Sequence, residues 1–315
     1  MKFSKYIKVS LSILLVLLFV WFFYKEFKEH WEAVRTFHLE INWEYLVLAI
    51  FMMIANYLCI TLSWHIGINY FDNHKKLKIT ESFALVNISQ LGKYIPGKLW
   101  SYMIQIYWLA SKGVPKTTVL YINVINSLLS ILVSLLMGCL LLMMLPDWYH
   151  LMNEILIFII LLLVINLVLY NKNFLKFFIE KFSKITGWKI SFYQLSTRRI
   201  ISMQLIYIAG SLFWALAGCF ISCGIGFNLN SLKILFISTA MLLGDVIGFL
   251  VLIAPSGLGV REGIMFLILK GAGIIQFALI FPIVVRLLSI VTDLIMGIVS
   301  VLIISRSKYF SRNNN

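Results

Sequence analysis

The stretch Ala254-Pro255-Ser256-Gly257-Leu258-Gly259-Val260-Arg261-Glu262-Gly263 breaks an otherwise apolar region running from about 232 to 273. Proline removes a backbone donor and glycine admits dihedrals closed to other residues, so the pattern marks a helix break. A second break, Leu91-Gly92-Lys93-Tyr94-Ile95-Pro96-Gly97-Lys98-Leu99-Trp100, lies inside the apolar region 80–112. The arms around it, 81–95 and 98–111, reach only about 22 Å each as helix, short of a hydrocarbon core of ~30 Å. Each interrupted region is expected to be a re-entrant helical hairpin that enters and leaves on one side. The second also admits another reading, because 232–254 alone is long enough to span.

Outward from these breaks lie continuous apolar segments at about 6–24, 43–69, 117–145, 154–170, 199–224 and 276–304. Of the 315 residues, 61% are apolar and 13% charged, and the mean hydropathy is +0.93. Soluble domains carry roughly 25% charge and 45–50% apolar residues. A soluble enzyme, a disordered chain and a disulfide scaffold are excluded. Continuous rather than alternating runs exclude a transmembrane β-barrel. The expected fold is an all-α polytopic membrane protein with about six full transmembrane helices plus two re-entrant hairpins. It forms a single integral membrane domain over 1–315, with one half at about 1–147, the other at about 148–305, and a short cytoplasmic tail, 306–315.

If both interrupted regions are hairpins, the two halves repeat one order of elements in opposite orientation, an inverted-topology repeat. Pro96 to Gly113 and Pro255 to Gly273 fall at nearly equal spacing, and Gly113 to Asn126 matches Gly273 to Arg286. The net charge of +14 comes from 27 basic and 13 acidic residues. Lys2, Lys5 and Lys8, Lys75, Lys76 and Lys78, the basic run 172–199, and Arg306, Lys308 and Arg312 fall on one side. The opposite loop after the first segment carries Glu26, Glu29, Glu32, Glu40 and Glu44. This asymmetry predicts a multi-pass protein of the cell (inner or plasma) membrane with both termini cytoplasmic. It makes the positive charge a topology signal and excludes nucleic acid as the partner. The segment 171–199 interleaves Phe174, Leu175, Phe177 and Phe178 with lysines and reads as an amphipathic helix on the anionic inner leaflet.

Seven ionisable residues remain at membrane depth: Lys93, Lys98, Arg261, Arg286, Asp245, Glu262 and Asp293. Charges there cost several kcal/mol and persist when they pair, face a wet cavity or do work. A structural reading has Arg286 pair with Glu262 or Asp245 to pin the hairpin, and Lys93 and Lys98 snorkel to the surface. A functional reading has the two broken tips line a cavity, since free backbone groups are tolerable only against protein or water. A basic, amide-rich cavity suits phosphate. Gly92, Gly97, Gly257, Gly259 and Gly263 would let backbone approach such a group or serve simply as helix breaks, with Pro96 and Pro255 breaking the helices beside them.

No enzyme signature is present: no Ser-His-Asp pattern, no P-loop, no nucleotide-binding glycine motif. Cys219 and Cys223 share a helix face without a third ligand, so no metal and no cofactor are expected. Trp100, Tyr102, Tyr107 and Trp108 read as an interfacial belt or packing.

The Pro255-x-Gly257-x-Gly259-x-Arg261-Glu262 element, with Arg286 and Asp293 downstream, resembles the transmembrane region of the lysylphosphatidylglycerol synthase family, and Ile95-Pro96-Gly97-Lys98 looks like its other landmark. The resemblance implies a helical bundle with re-entrant elements and a lipid-handling role. No stretch here is polar and long enough for the soluble transferase domain of the bifunctional members. The expectation is a stand-alone, flippase-like protein rather than a synthase. Many members carry Gly-Glu and then Arg after the first proline, where this chain has Lys98-Leu99-Trp100-Ser101-Tyr102. Chains with this kind of break look similar to proteins of envelope polysaccharide pathways.

The expected function is binding and translocation of an anionic lipid or lipid-linked head group, a phospholipid or a polyprenyl-phosphate-linked sugar, in envelope biogenesis. Arg261 and Arg286 would hold phosphate. Glu262, Asp245 and Asp293 would orient them or gate by protonation. Lys93 and Lys98 would receive the head group from the cytoplasm. Partners are then membrane lipids, with envelope glycosyltransferases as further candidates. The alternatives are a non-catalytic scaffold subunit for an envelope glycosyltransferase or polymerase, and a membrane-embedded enzyme on a lipid-linked substrate.

Overall fold

The computed structural model describes residues 40–71, 76–94, 100–171, 195–251, 255–271, 273 and 275–312, with isolated positions near 24–28 and 173–184. The first apolar segment, 6–24, and most of the basic run 171–199 lie outside the described residues. Nine α-helices and no strand occur among those described: α1 Trp43–Ile68, α2 Ile79–Gln90, α3 Trp100–Ala110, α4 Lys116–Met143, α5 Met152–Leu169, α6 Thr197–Gly224, α7 Ser231–Leu250, α8 Val260–Gly271 and α9 Ile275–Arg312. Six helices are long and apolar enough to cross a membrane: α1, α4, α5 with the turn before it, α6, α7 and α9. Five correspond to the continuous segments of the sequence; the sixth, α7, is the first arm of the second interrupted region.

Helix starts follow local chemistry. The Asn42 side chain accepts from the Glu44 amide at 3.2 Å and caps α1. Asn230 does the same for Lys233 at 2.8 Å at the head of α7. Helix pairs close on small residues, as expected where packing must replace the hydrophobic effect. A Cβ on Gly224 would lie 2.4 Å from Leu46, and one on Gly210 2.9 Å from the Asn56 side chain. These contacts run α1 and α6 antiparallel along their length.

Both interrupted regions fold as antiparallel helical hairpins. In the first, Gln105 Nε2 of α3 donates to Ser89 Oγ of α2 at 2.7 Å, and Gly92 abuts Ser101. In the second, Gly244 of α7 abuts Met265 of α8, and Gly248 abuts Arg261. Lys112 pairs with Glu81 across the base of the first hairpin. Burial pushes the Glu81 carboxyl up, but the Lys112 hydrogen bond, the Lys78 amide and both lysine charges outweigh it and hold the group below the usual range.

The hairpins enter the bundle from opposite ends. One apolar core gathers the second hairpin with the first part of α1, the last part of α6 and the start of α9. The other gathers the first hairpin with the last part of α1 and the first parts of α4 and α6. Their tips meet between the cores, where the turn Leu91–Tyr94 touches the turn Pro255–Gly257. That level is the middle of the long helices. Lys93 reaches Tyr57 in mid-α1, Tyr102 reaches Ser127 in mid-α4, and Arg261 lies over Trp214 in mid-α6. Packing across the halves is reciprocal: α2 lies on α9 and α7 on α4. Gly297 receives Leu91 in one contact and Gly138 receives Leu243 in the other.

Candidate functional site

Where the tips meet, charge is neutralised pair by pair. Asp293, on α9 and 2% exposed, accepts from Tyr57 at 2.6 Å and from Tyr94. Lys93 Nζ lies 2.7 Å from its second oxygen, above the rings of Tyr57 and Tyr94 at 5.7 and 5.5 Å. A carboxylate with three donors is fully satisfied, which makes its burial tolerable.

The second tip is a strained turn. Ser256 has φ 51°, Gly257 69° and Gly259 88°. A Cβ on Gly257 would sit 2.8 Å from the Gly248 carbonyl oxygen, so only glycine fits there. Glu262 accepts the Gly259 amide at 2.8 Å. It also pairs with Arg286 at 3.3 Å, and Arg286 donates to the Ser256 carbonyl at 3.2 Å. Arg286 and Glu262 therefore staple this turn.

Arg261 points elsewhere. Gly248 lets its backbone close on α7, and its guanidinium lies 4.9 Å from the Trp214 ring. It meets Ser289 at 3.4 Å and Asp245 at 3.4 Å. Asp245 is half exposed.

A cavity of about 240 Å³ opens between the tips. Of the residues expected from sequence, Lys93, Asp245 and Arg261 line it; Asp293, Glu262 and Arg286 stand behind as partners. Pro96, Gly97 and Lys98 lie outside the described residues, as does the Pro255 side chain. The cavity is less basic than expected, because the three described cations each face a carboxylate. In a low dielectric an unmatched charge costs more than a matched one.

Most of the lining carries no formal charge. Asn123, Asn126, Ser127, Ser130 and Ser134 form one polar face of α4 toward the cavity, joined by Asn56, Gln90 and Gln105. The signal was legible as polar residues at helical spacing within an apolar span. Asn126 is the counterpart of Arg286 by spacing, and it too is a tie: its Oδ1 accepts from Ser63 and Tyr207, both at 2.9 Å. Among the described residues no three His, Cys, Asp or Glu side chains gather as a metal site.

The model of a family described as the lysylphosphatidylglycerol synthase TM region matches residues 8–297. No curated protein and no solved structure matches the chain.

Proposed function

Since the chain belongs to the lysylphosphatidylglycerol synthase transmembrane-region family, a membrane family linked to lipid and envelope biogenesis, we propose that it binds an anionic lipid or lipid-linked head group between its two hairpins and moves it across the cell membrane. The carrying observation is the meeting of two hairpin tips, from opposite ends of the bundle, around a polar cavity level with the middle of α1, α4 and α6. In this reading both hairpins are re-entrant and the halves form an inverted-topology repeat with cytoplasmic termini. The reciprocal packing of α2 on α9 and α7 on α4 supports it. Arg261, lining the cavity beside a half-exposed Asp245, takes the phosphate. Lys93 is the second cation at the wall. Arg286 and Glu262 hold the turn that presents Arg261. The chain acts as a carrier rather than an enzyme.

The test is lipid mass spectrometry on purified protein, wild type beside Arg261→Gln. Selective retention of one phosphate-bearing lipid class by the wild type, lost in the variant, supports the reading. Equal and unselective bulk lipid in both would overturn it and favour the scaffold alternative.

A further inference from the structure

Resting on that reading, we infer that the lipid phosphate carried in this cavity bears a neutral, hydroxyl-rich group, a sugar, rather than no substituent or a cationic aminoacyl group. The lining decides this. Apart from Lys93, Arg261 and Asp245, its polar side chains are amides and hydroxyls: Asn56, Gln90, Gln105, Asn123 and the serines of α4 among them. Such groups read hydroxyls, which both donate and accept.

Two of these amides carry buried groups that no partner satisfies. Gln105 is 5% exposed and Asn123 4%. Gln105 spends its Nε2 on Ser89 at 2.7 Å, and its Oε1 is left without a partner. Asn123 spends its Oδ1 on the Trp64 indole at 2.9 Å, and its Nδ2 is left without one. Buried polar groups are nearly always paired, so an orphan acceptor and an orphan donor on one cavity wall need a cause. Both atoms are sealed beneath the wall, so a sugar pairs with them once the two amides turn toward the cavity: one hydroxyl then donates to Gln105 and another accepts from Asn123. A lysyl head group would bring ammonium charges, against which the lining sets one carboxylate, Asp245, beside two cations, Lys93 and Arg261. The volume agrees. About 240 Å³ is less than the ~300–1,000 Å³ of sites for drug-sized ligands, which suits one sugar ring with the lipid chain left outside.

The experiment measures binding of short-chain polyprenyl-phosphate-glucose, the same polyprenyl phosphate without sugar, lysylphosphatidylglycerol and soluble glucose 1-phosphate to the full chain in nanodiscs. A site built for hydroxyls disfavours the ligand that lacks them. The glucosyl lipid should bind at least tenfold more tightly than the bare polyprenyl phosphate and than lysylphosphatidylglycerol. Asn123→Asp keeps the acceptor for Trp64 and removes the free donor, and Gln105→Leu removes the free acceptor. Gln105→Leu should reduce glucosyl-lipid binding to the level of the bare phosphate, and Asn123→Asp, whose added charge repels both lipid phosphates, should weaken the glucosyl lipid more than the bare one. Equal binding of the glucosyl and bare lipids, or preference for lysylphosphatidylglycerol, overturns the sugar assignment and leaves lipid-phosphate binding standing. Glucose 1-phosphate binding as tightly as the glucosyl lipid overturns the lipid-borne part. Binding of none of the four overturns the carrier reading and this inference with it. The wild-type comparison decides these outcomes even if a variant fails to fold.

Discussion

Lys93, at the tip of the first hairpin, lies 2.7 Å from Asp293, which is 200 residues further along the chain in the middle of α9. Tyr57 and Tyr94 complete the shell around that carboxylate. The tip of the first hairpin is thus tied to α9 through one buried anion, in addition to the packing of α2 along that helix. Removing one member of a buried pair leaves the other uncompensated. Asp293→Asn should cost about 3 kcal/mol, read as a lowered thermal midpoint in detergent. The double variant Lys93→Met/Asp293→Leu should be less destabilised than either single change. A double variant as unstable as the sum of the singles would deny the coupling.

Arg261 and Arg286 are expected to separate in their effects. Arg286 is held by Glu262 and by the Ser256 carbonyl, so Arg286→Gln strands a buried carboxylate and should lower stability by a few kcal/mol. Arg261 faces the cavity, and its carboxylate partner is half exposed. Arg261→Gln should keep the melting point within a few degrees and lose lipid retention. Melting curves and lipid content measured on both variants check this, and reversed effects would exchange the two roles.

How much of this was legible in the sequence follows from what each residue depends on. The long helices were legible because apolar length is a local property: the reading of 43–69 became Trp43–Ile68, and 199–224 became Thr197–Gly224. The breaks were legible because Pro255, Gly257 and Gly259 declare themselves by type. Pairing was not. Arg286 could have taken Asp245 or Glu262, and only the approach of α8 to α9 selects Glu262. Tyr57 gave no sign, since a tyrosine in an apolar span looks like packing until a carboxylate from α9 reaches it. The polar face of α4 was present in the spacing of Asn123, Asn126, Ser127, Ser130 and Ser134, but uncharged amides and hydroxyls in an apolar span look like helix packing until a cavity opens beside them.

Gly257 should not tolerate a side chain. Its φ of 69° favours glycine, and a Cβ would press on the Gly248 carbonyl at 2.8 Å. Backbone strain of this kind costs about 1–3 kcal/mol. Gly257→Ala should lower the melting point and speed cleavage by added protease, whereas Gly263→Ala, where nothing lies within 4 Å, should do neither. Equal behaviour of the two would remove the steric argument.

Acid should loosen the base of the first hairpin. The Glu81 carboxyl is held below its ordinary range once the Lys112 and Lys78 contacts overcome burial. A group whose folded value is depressed contributes stability above its unfolded value, near 4.3, and loses it as pH falls through the folded one. The pair is partly exposed, so the effect is about 1 kcal/mol or less. Hydrogen exchange at the start of α2 should rise below about pH 4 in the wild type, and Glu81→Gln should show the faster exchange already at neutral pH. A wild-type profile that stays flat through that range would mean the contact carries no stability.

The proposal that both hairpins are re-entrant predicts where a bulky, membrane-impermeant maleimide can react. With Cys59, Cys139, Cys219 and Cys223 replaced by serine, single cysteines report position. Lys112→Cys, at the base of the first hairpin, should react from the cytoplasm. Lys233→Cys, at the head of the second, should react from the opposite face. Ser101→Cys and Ser256→Cys sit at the two tips, level with the middle of the long helices, and should react from neither side in intact membranes. The charge asymmetry alone does not decide this, because spanning helix pairs would leave the same termini inside. Prompt labelling of Ser101→Cys from outside would make α2 and α3 a spanning pair, and with it would go both the opposed hairpins and the inverted repeat.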